Sequence, residues 1–95
     1  MVSVVWSRRA SDDLFAIHTY ISASSRATAD RLVDQLTRRV EQLATFPNSG
    51  SIVPEFDVPV LRELKLHPYR VLYEVFPDRV EILAVVHSAR RLETD

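Results

Sequence analysis

The sequence predicts an α+β fold in which an N-terminal strand and an antiparallel helical hairpin pack on one face of an antiparallel β-sheet, in the order β-α-α-β-β-β. Three observations carry this reading. Apolar β-formers alternate at Val2, Val4 and Trp6. Two stretches of helical periodicity are joined by the polar link Ser22 to Ser25. After residue 60 three strand-like runs follow one another so closely that they must be antiparallel neighbours.

Taken in order, Val2 to Trp6 is the first strand, and Ser7 is placed to cap the helix that follows. At 100° per residue Ala10, Leu14, Ile17 and Ile21 form one narrow stripe, flanked by His18 and Tyr20. A longer helix begins near Ala27, with a stripe of Ala29, Leu32, Val33, Leu36, Val40, Leu43 and Ala44. Such a hairpin needs a second apolar surface to cover its stripes. The pattern stops near Pro47, and Asn48 to Pro59 has prolines and no period, which reads as loop. The remaining strands are Leu61 to Leu66, Tyr69 to Phe76 and Arg79 to His87, with a tight turn at Pro77-Asp78.

Alternation sorts these strands into two faces. Val71, Tyr73 and Val75, with Val80, Ile82, Ala84 and Val86, are expected beneath the helices. The other face then carries Arg70, Leu72, Glu74, Glu81, Leu83, Val85 and His87, with Glu63 and Lys65 as neighbours. Leu and Val in the middle of an open face mark it as a surface for a partner. After His87 the charged tail SARRLETD is expected to leave the sheet.

Composition narrows the function. Ninety-five residues suffice for one domain, 1–95. There is no cysteine, the N-terminus lacks the order of a secretory signal, and no apolar run reaches the roughly 18 residues that a membrane span needs. A cytoplasmic protein without membrane contact is expected. The net charge of −1 is unlike that of proteins that bind nucleic acid through phosphates. His18, His67 and His87 are too scattered for a metal site, and a single glycine argues against a phosphate loop or a nucleophile elbow. No cofactor, metal or small-molecule substrate is expected.

One combination of motifs goes further. Trp6-Ser7, Asp13-Leu14, Phe46-Pro47, Leu61-Arg62-Glu63-Leu64, Tyr69-Arg70-Val71-Leu72-Tyr73 and Val86-His87-Ser88-Ala89-Arg90-Arg91 occur in this order over essentially the whole chain. The chain thereby resembles the RelE/ParE superfamily of type II toxins, the family associated with plasmid stabilisation. The resemblance implies a toxin held silent by a cognate antitoxin, and one of two targets. ParE-like members bind DNA gyrase and inhibit growth without cutting anything themselves. RelE-like members act on the ribosome and cut messenger RNA as endoribonucleases.

The resemblance assigns residues differently in the two cases. In a nuclease, Arg70 would hold the phosphate, His87 would stand where a catalytic histidine or arginine is found, and Lys65 would add positive charge. Arg70 and His87 are expected on the same open face. Many RelE-like nucleases also carry a tyrosine near the C-terminus; here no aromatic residue follows His87. With the slightly acidic balance, that departure favours the ParE-like reading, with no catalytic residue. Arg70, His87, Arg90 and Arg91 are then the target-binding set, and Leu72, Leu83 and Val85 the antitoxin-binding set. Arg70 also has a purely structural reading, as partner of Glu63, Glu74 or Glu81. A non-toxic interaction module is the rival from another class.

Overall fold

The computed structural model describes residues 1–92. Strand β1 (Ser3–Trp6) leads into helix α1 (Arg8–Ser22), and α2 (Arg26–Glu41) follows, extended by a short 3-10 turn over Gln42–Ala44. The strands β2 (Ser51–Ile52), β3 (Leu61–Leu66), β4 (Tyr69–Val75) and β5 (Arg79–His87) complete the order. Among the described residues the strands form one sheet, β1-β5-β4-β3-β2. The meander β3-β4-β5 is antiparallel, as its short links require. The first strand is not: β1 lies parallel to β5, so the sheet is mixed. The helical hairpin is long enough to carry the chain back for that pairing, a crossover that short links do not permit.

Both helices begin on serine caps. Ser25 accepts the amide of Thr28 at 3.2 Å. Ser7 does more: its Oγ accepts the amide of Ala10 at 3.0 Å and donates to the carbonyl of Leu83 at 3.1 Å. One turn on, the Asp13 carboxylate accepts the amide of Val85 at 3.0 Å. The strand β1 ends at Trp6, so these two side chains continue its work along β5.

The main core lies between the hairpin and one face of the sheet. Ala10, Leu36, Val40 and Leu43 meet Leu64, Val71, Tyr73, Val80, Ile82 and Val85 there, with Trp6, Leu14 and Ile17 packed around them. Each fully buried Leu, Ile or Val contributes roughly 1.5–3 kcal/mol. The Tyr73 hydroxyl is satisfied by the amide of Gly50 at 2.9 Å, and burial pushes its pKa up. A Cβ on Gly50 would sit 2.5 Å from the Glu63 carbonyl, so the chain's one glycine stands where its backbone must come close.

A β-bulge overturns part of the expected face assignment. Tyr73 pairs with Ile82 and Leu72 with Ala84, which leaves Leu83 as an extra residue on β5. An extra residue shifts the side-chain parity of everything beyond it. Val80 and Ile82 are beneath the helices as alternation predicts. Ala84 and Val86 are instead on the opposite face, and Val85 takes their place in the main core.

Candidate functional site

The face of the sheet away from the helices is expected to be open, and the structure corrects this. Val53 from the loop after β2 and Leu92 from the C-terminal tail pack there on Leu72, Ala84 and Val86. The loop is held in turn by its own backbone. The amide of Val53 bonds the carbonyl of Leu61, and the amides of Phe56 and Asp57 both reach the carbonyl of Val53. The tail turns at His87, where the amide of Arg90 bonds the carbonyl of His87, and runs back across the strands.

Loop, tail and sheet meet at Arg70. Its Nη2 donates to Glu55 Oε1 at 2.8 Å and to Glu63 Oε2 at 2.7 Å. Its Nη1 donates to Glu55 Oε2 at 2.9 Å and to the carbonyl of Arg90 at 3.1 Å. Glu55 also accepts the amide of Leu92 at 3.2 Å. Arg70 is only 6% exposed and Glu63 2%. The planar guanidinium thus meets Glu55 in a fork-to-fork pair and has a second carboxylate beside it, the geometry in which such pairs are strongest. Hydrogen bonds from Arg70 hold the Glu55 carboxyl down at about 2, despite its burial. Glu55 in turn raises the guanidinium above its ordinary range. Lys65 lies on the rim, its Nζ 3.8 Å from Glu63 Oε1. A shallow cleft of about 480 Å³ opens beside this cluster, bordered by Lys65, Arg70, Ser88, Arg90 and Arg91.

The residues singled out from the sequence do not gather in one place. Arg70, Lys65, Arg90 and Arg91 gather at this cleft. His87 does not join them. It pairs with Tyr69 across the strands, with ring centroids 6.0 Å apart, and Tyr69 packs against the helix-side core. The bulge at Leu83 is the reason that Arg70 and His87 lie on opposite faces. Arg62 pairs with the core residue Tyr73 and donates to the carbonyls of Asn48 and Gly50. Of the three aliphatic residues assigned to an antitoxin, Leu72 lies under loop and tail and Val85 under the helices. Leu83, half-buried at the bulge, is the one nearest the surface.

Glu55 is the residue that the sequence did not reveal. Of the structural partners considered for Arg70, Glu63 is correct, but Glu55 sits in a loop without period, where no pattern points to it. On the helical side Trp6, Leu14, Phe15, His18, Val33 and Thr37 line an almost wholly apolar groove of about 320 Å³, and Phe15 is 74% exposed. His18 bridges the helices there, its Nε2 2.7 Å from Asp30 Oδ1.

The arrangement at Arg70 limits what the cleft can do chemically. Every hydrogen bond the guanidinium makes goes to a carboxylate or to a carbonyl of the tail. To hold a phosphate it would have to release Glu55 and leave buried carboxylates beside a new anion, an expensive exchange. Strand β4 therefore brings a cation to the expected place, and the loop and β3 neutralise it.

Comparison with known proteins is consistent along the whole length. The family model of the ParE toxin of the type II toxin–antitoxin system parDE matches residues 4–92. Toxin RelE2 of Caulobacter vibrioides is 36% identical over 91 residues, which cover 95% of this chain and 99% of that toxin. Toxin RelE3 of the same organism is 31% identical over 91 residues, covering 96% and 99%. A chain of the chromosomal ParDE TA system from P. aeruginosa superposes with a TM-score of 0.75 at 29% identity, covering 92% of this chain and 96% of that one.

Proposed function

The chain belongs to the ParE toxin family of type II toxin–antitoxin systems, and from there we propose that it inhibits growth by binding DNA gyrase and is neutralised by a cognate antitoxin. The observation that carries the choice of target is the engagement of Arg70. The guanidinium that a ribosome-dependent nuclease would turn toward the scissile phosphate is bound by Glu55 and Glu63, and His87 lies on the other side of the sheet. RNA cleavage needs a base, an acid and an accessible cation around one phosphate, and this pairing argues against such an assembly. The net charge of −1 argues in the same direction. A protein that works by occupying another protein needs none of these groups.

For the antitoxin, the apolar groove along α1 and α2 is the surface that fits an amphipathic helix, with Phe15 and Leu14 as the residues it would cover. Leu72 and Val85 are already covered in the free protein, so they leave the antitoxin-binding set; Leu83 remains in it.

Induction of the chain in bacteria tests both parts. Growth should stop with a DNA-damage response and with messenger RNA intact at A-site codons. Co-expressed antitoxin should restore growth for the native chain but less for Phe15→Ala. Messenger cleavage without DNA damage would mean the RelE-like activity, and continued growth would mean a non-toxic interaction module.

A further inference from the structure

Arg90 and Arg91 are adjacent, exposed cations on a tail that has left the sheet. A free tail of this kind would lose much of its freedom on binding, at a cost in affinity. This one is fastened within the arginine pair and immediately after it. The carbonyl of Arg90 is held by Arg70 Nη1 at 3.1 Å, and the amide of Leu92 is held by Glu55 Oε2 at 3.2 Å. The turn before the pair is fixed as well, by the amide of Ser88 on the carbonyl of Pro68 at 2.7 Å and the amide of Ala89 on His87 Nδ1 at 3.1 Å. Leu92 then anchors the end in the apolar patch of Val53, Leu72, Ala84 and Val86. The backbone bonds point inward, to the buried ion cluster, while the two arginines are exposed.

We propose that Arg70 and Glu55 are positioning residues: with Glu63 they form a clasp that pre-sets the Arg90–Arg91 pair for contact with an acidic surface of the target protein. This rests on the reading that the chain acts by binding gyrase. An acidic protein surface is preferred to nucleic acid because the chain as a whole carries a net charge of −1, and two arginines alone release few counterions. Glu63 completes the clasp from β3 by holding the guanidinium at the angle from which it reaches the tail. The arrangement gives the buried ion cluster a use other than catalysis. It also explains why the cation expected at a phosphate is saturated by carboxylates. A neutralised guanidinium still donates to the Arg90 carbonyl, and that bond is what the clasp needs.

The test combines exchange and binding, on the full chain. Amide hydrogen exchange is followed at Arg90 and Leu92, and affinity is measured for purified gyrase in the absence of DNA. The variants are Glu55→Gln, Arg70→Lys, Arg90→Ala plus Arg91→Ala, and each clasp change on that double background. Glu55→Gln should lower the protection of the Leu92 amide by about tenfold, and by more than that of the strand amides. The arginine double variant should weaken gyrase binding by roughly tenfold, and Glu55→Gln by a similar or smaller factor. On the double background the clasp changes should weaken binding no further, because they act only through the arginines. A merely structural role would lower binding by the same factor on both backgrounds and overturn the proposal. So would unchanged protection of Leu92, or binding of gyrase that requires DNA. If the native chain fails to bind gyrase while Leu92 still loses protection in Glu55→Gln, the target is wrong and the clasp stands.

Discussion

Glu55 shows how strongly one loop residue can be tied to the rest of the chain. Its carboxyl is held at about 2 by the Arg70 hydrogen bonds, against an ordinary value of 4.5. The folded state thus binds this proton less readily than the unfolded chain does. The stabilisation is complete above pH 4.5 and is lost as the pH falls through about 2. Denaturant unfolding of the native chain and of Glu55→Gln should therefore differ most near neutrality, the native chain being the more stable, and converge toward pH 2. A gap of constant size over that range would show that the Arg70 pair contributes nothing through its charge. Arg70 itself was half legible in the sequence. Its strand, its face and Glu63 as partner follow from alternation, whereas Glu55 reaches it from a loop without period. Loop residues are placed by tertiary contacts, and a single sequence does not encode those as a repeat.

Among the elements, β5 is where alternation holds and then fails. Up to Ile82 the strand follows period 2, and beyond Leu83 every side chain is on the face opposite to the expected one. Nothing in Ile82-Leu83-Ala84-Val85 signals a bulge, since no glycine or proline interrupts the run. The reason becomes visible only in three dimensions. The strand β1 ends at Trp6, and Ser7 and Asp13 of the α1 region then bond the carbonyl of Leu83 and the amide of Val85. Asp13 is the decisive contact, because Val85 is buried and its amide would otherwise be orphaned. Asp13→Ala should lower the stability by roughly 1–3 kcal/mol, and amide exchange at Val85 should rise more than at Val80. A loss confined to the exposed Arg9–Asp13 pair would be much smaller, within about 1 kcal/mol, and would mean that the bulge holds its shape unaided.

For the molecule taken together, the architecture was legible and the surface was not. Helical stripes, the Ser7 cap and short strand links specify the hairpin on a meander, because these are local patterns that each element must satisfy. Where β1 joins the sheet is a long-range choice, and its parallel pairing with β5 left no mark on the residues. The supposedly open face is closed by Val53 and Leu92, since apolar residues on a strand look the same whether a loop of the same chain or a partner covers them. Outward lie a charged tail at the cleft and an apolar groove on the helices, beside other exposed side chains such as Tyr20 and Phe46. That division suits a toxin that meets two different proteins, its target and its antitoxin.

Supercoiling of relaxed plasmid by purified gyrase, titrated with this protein beside an A-site messenger cleavage assay on translating ribosomes, separates the two activities of the superfamily. Supercoiling should fall as the protein is added while the messenger stays whole, and Arg90→Ala plus Arg91→Ala should relieve the inhibition. Undiminished supercoiling together with a cut messenger, and loss of that cutting in Arg70→Lys, would contradict the gyrase reading.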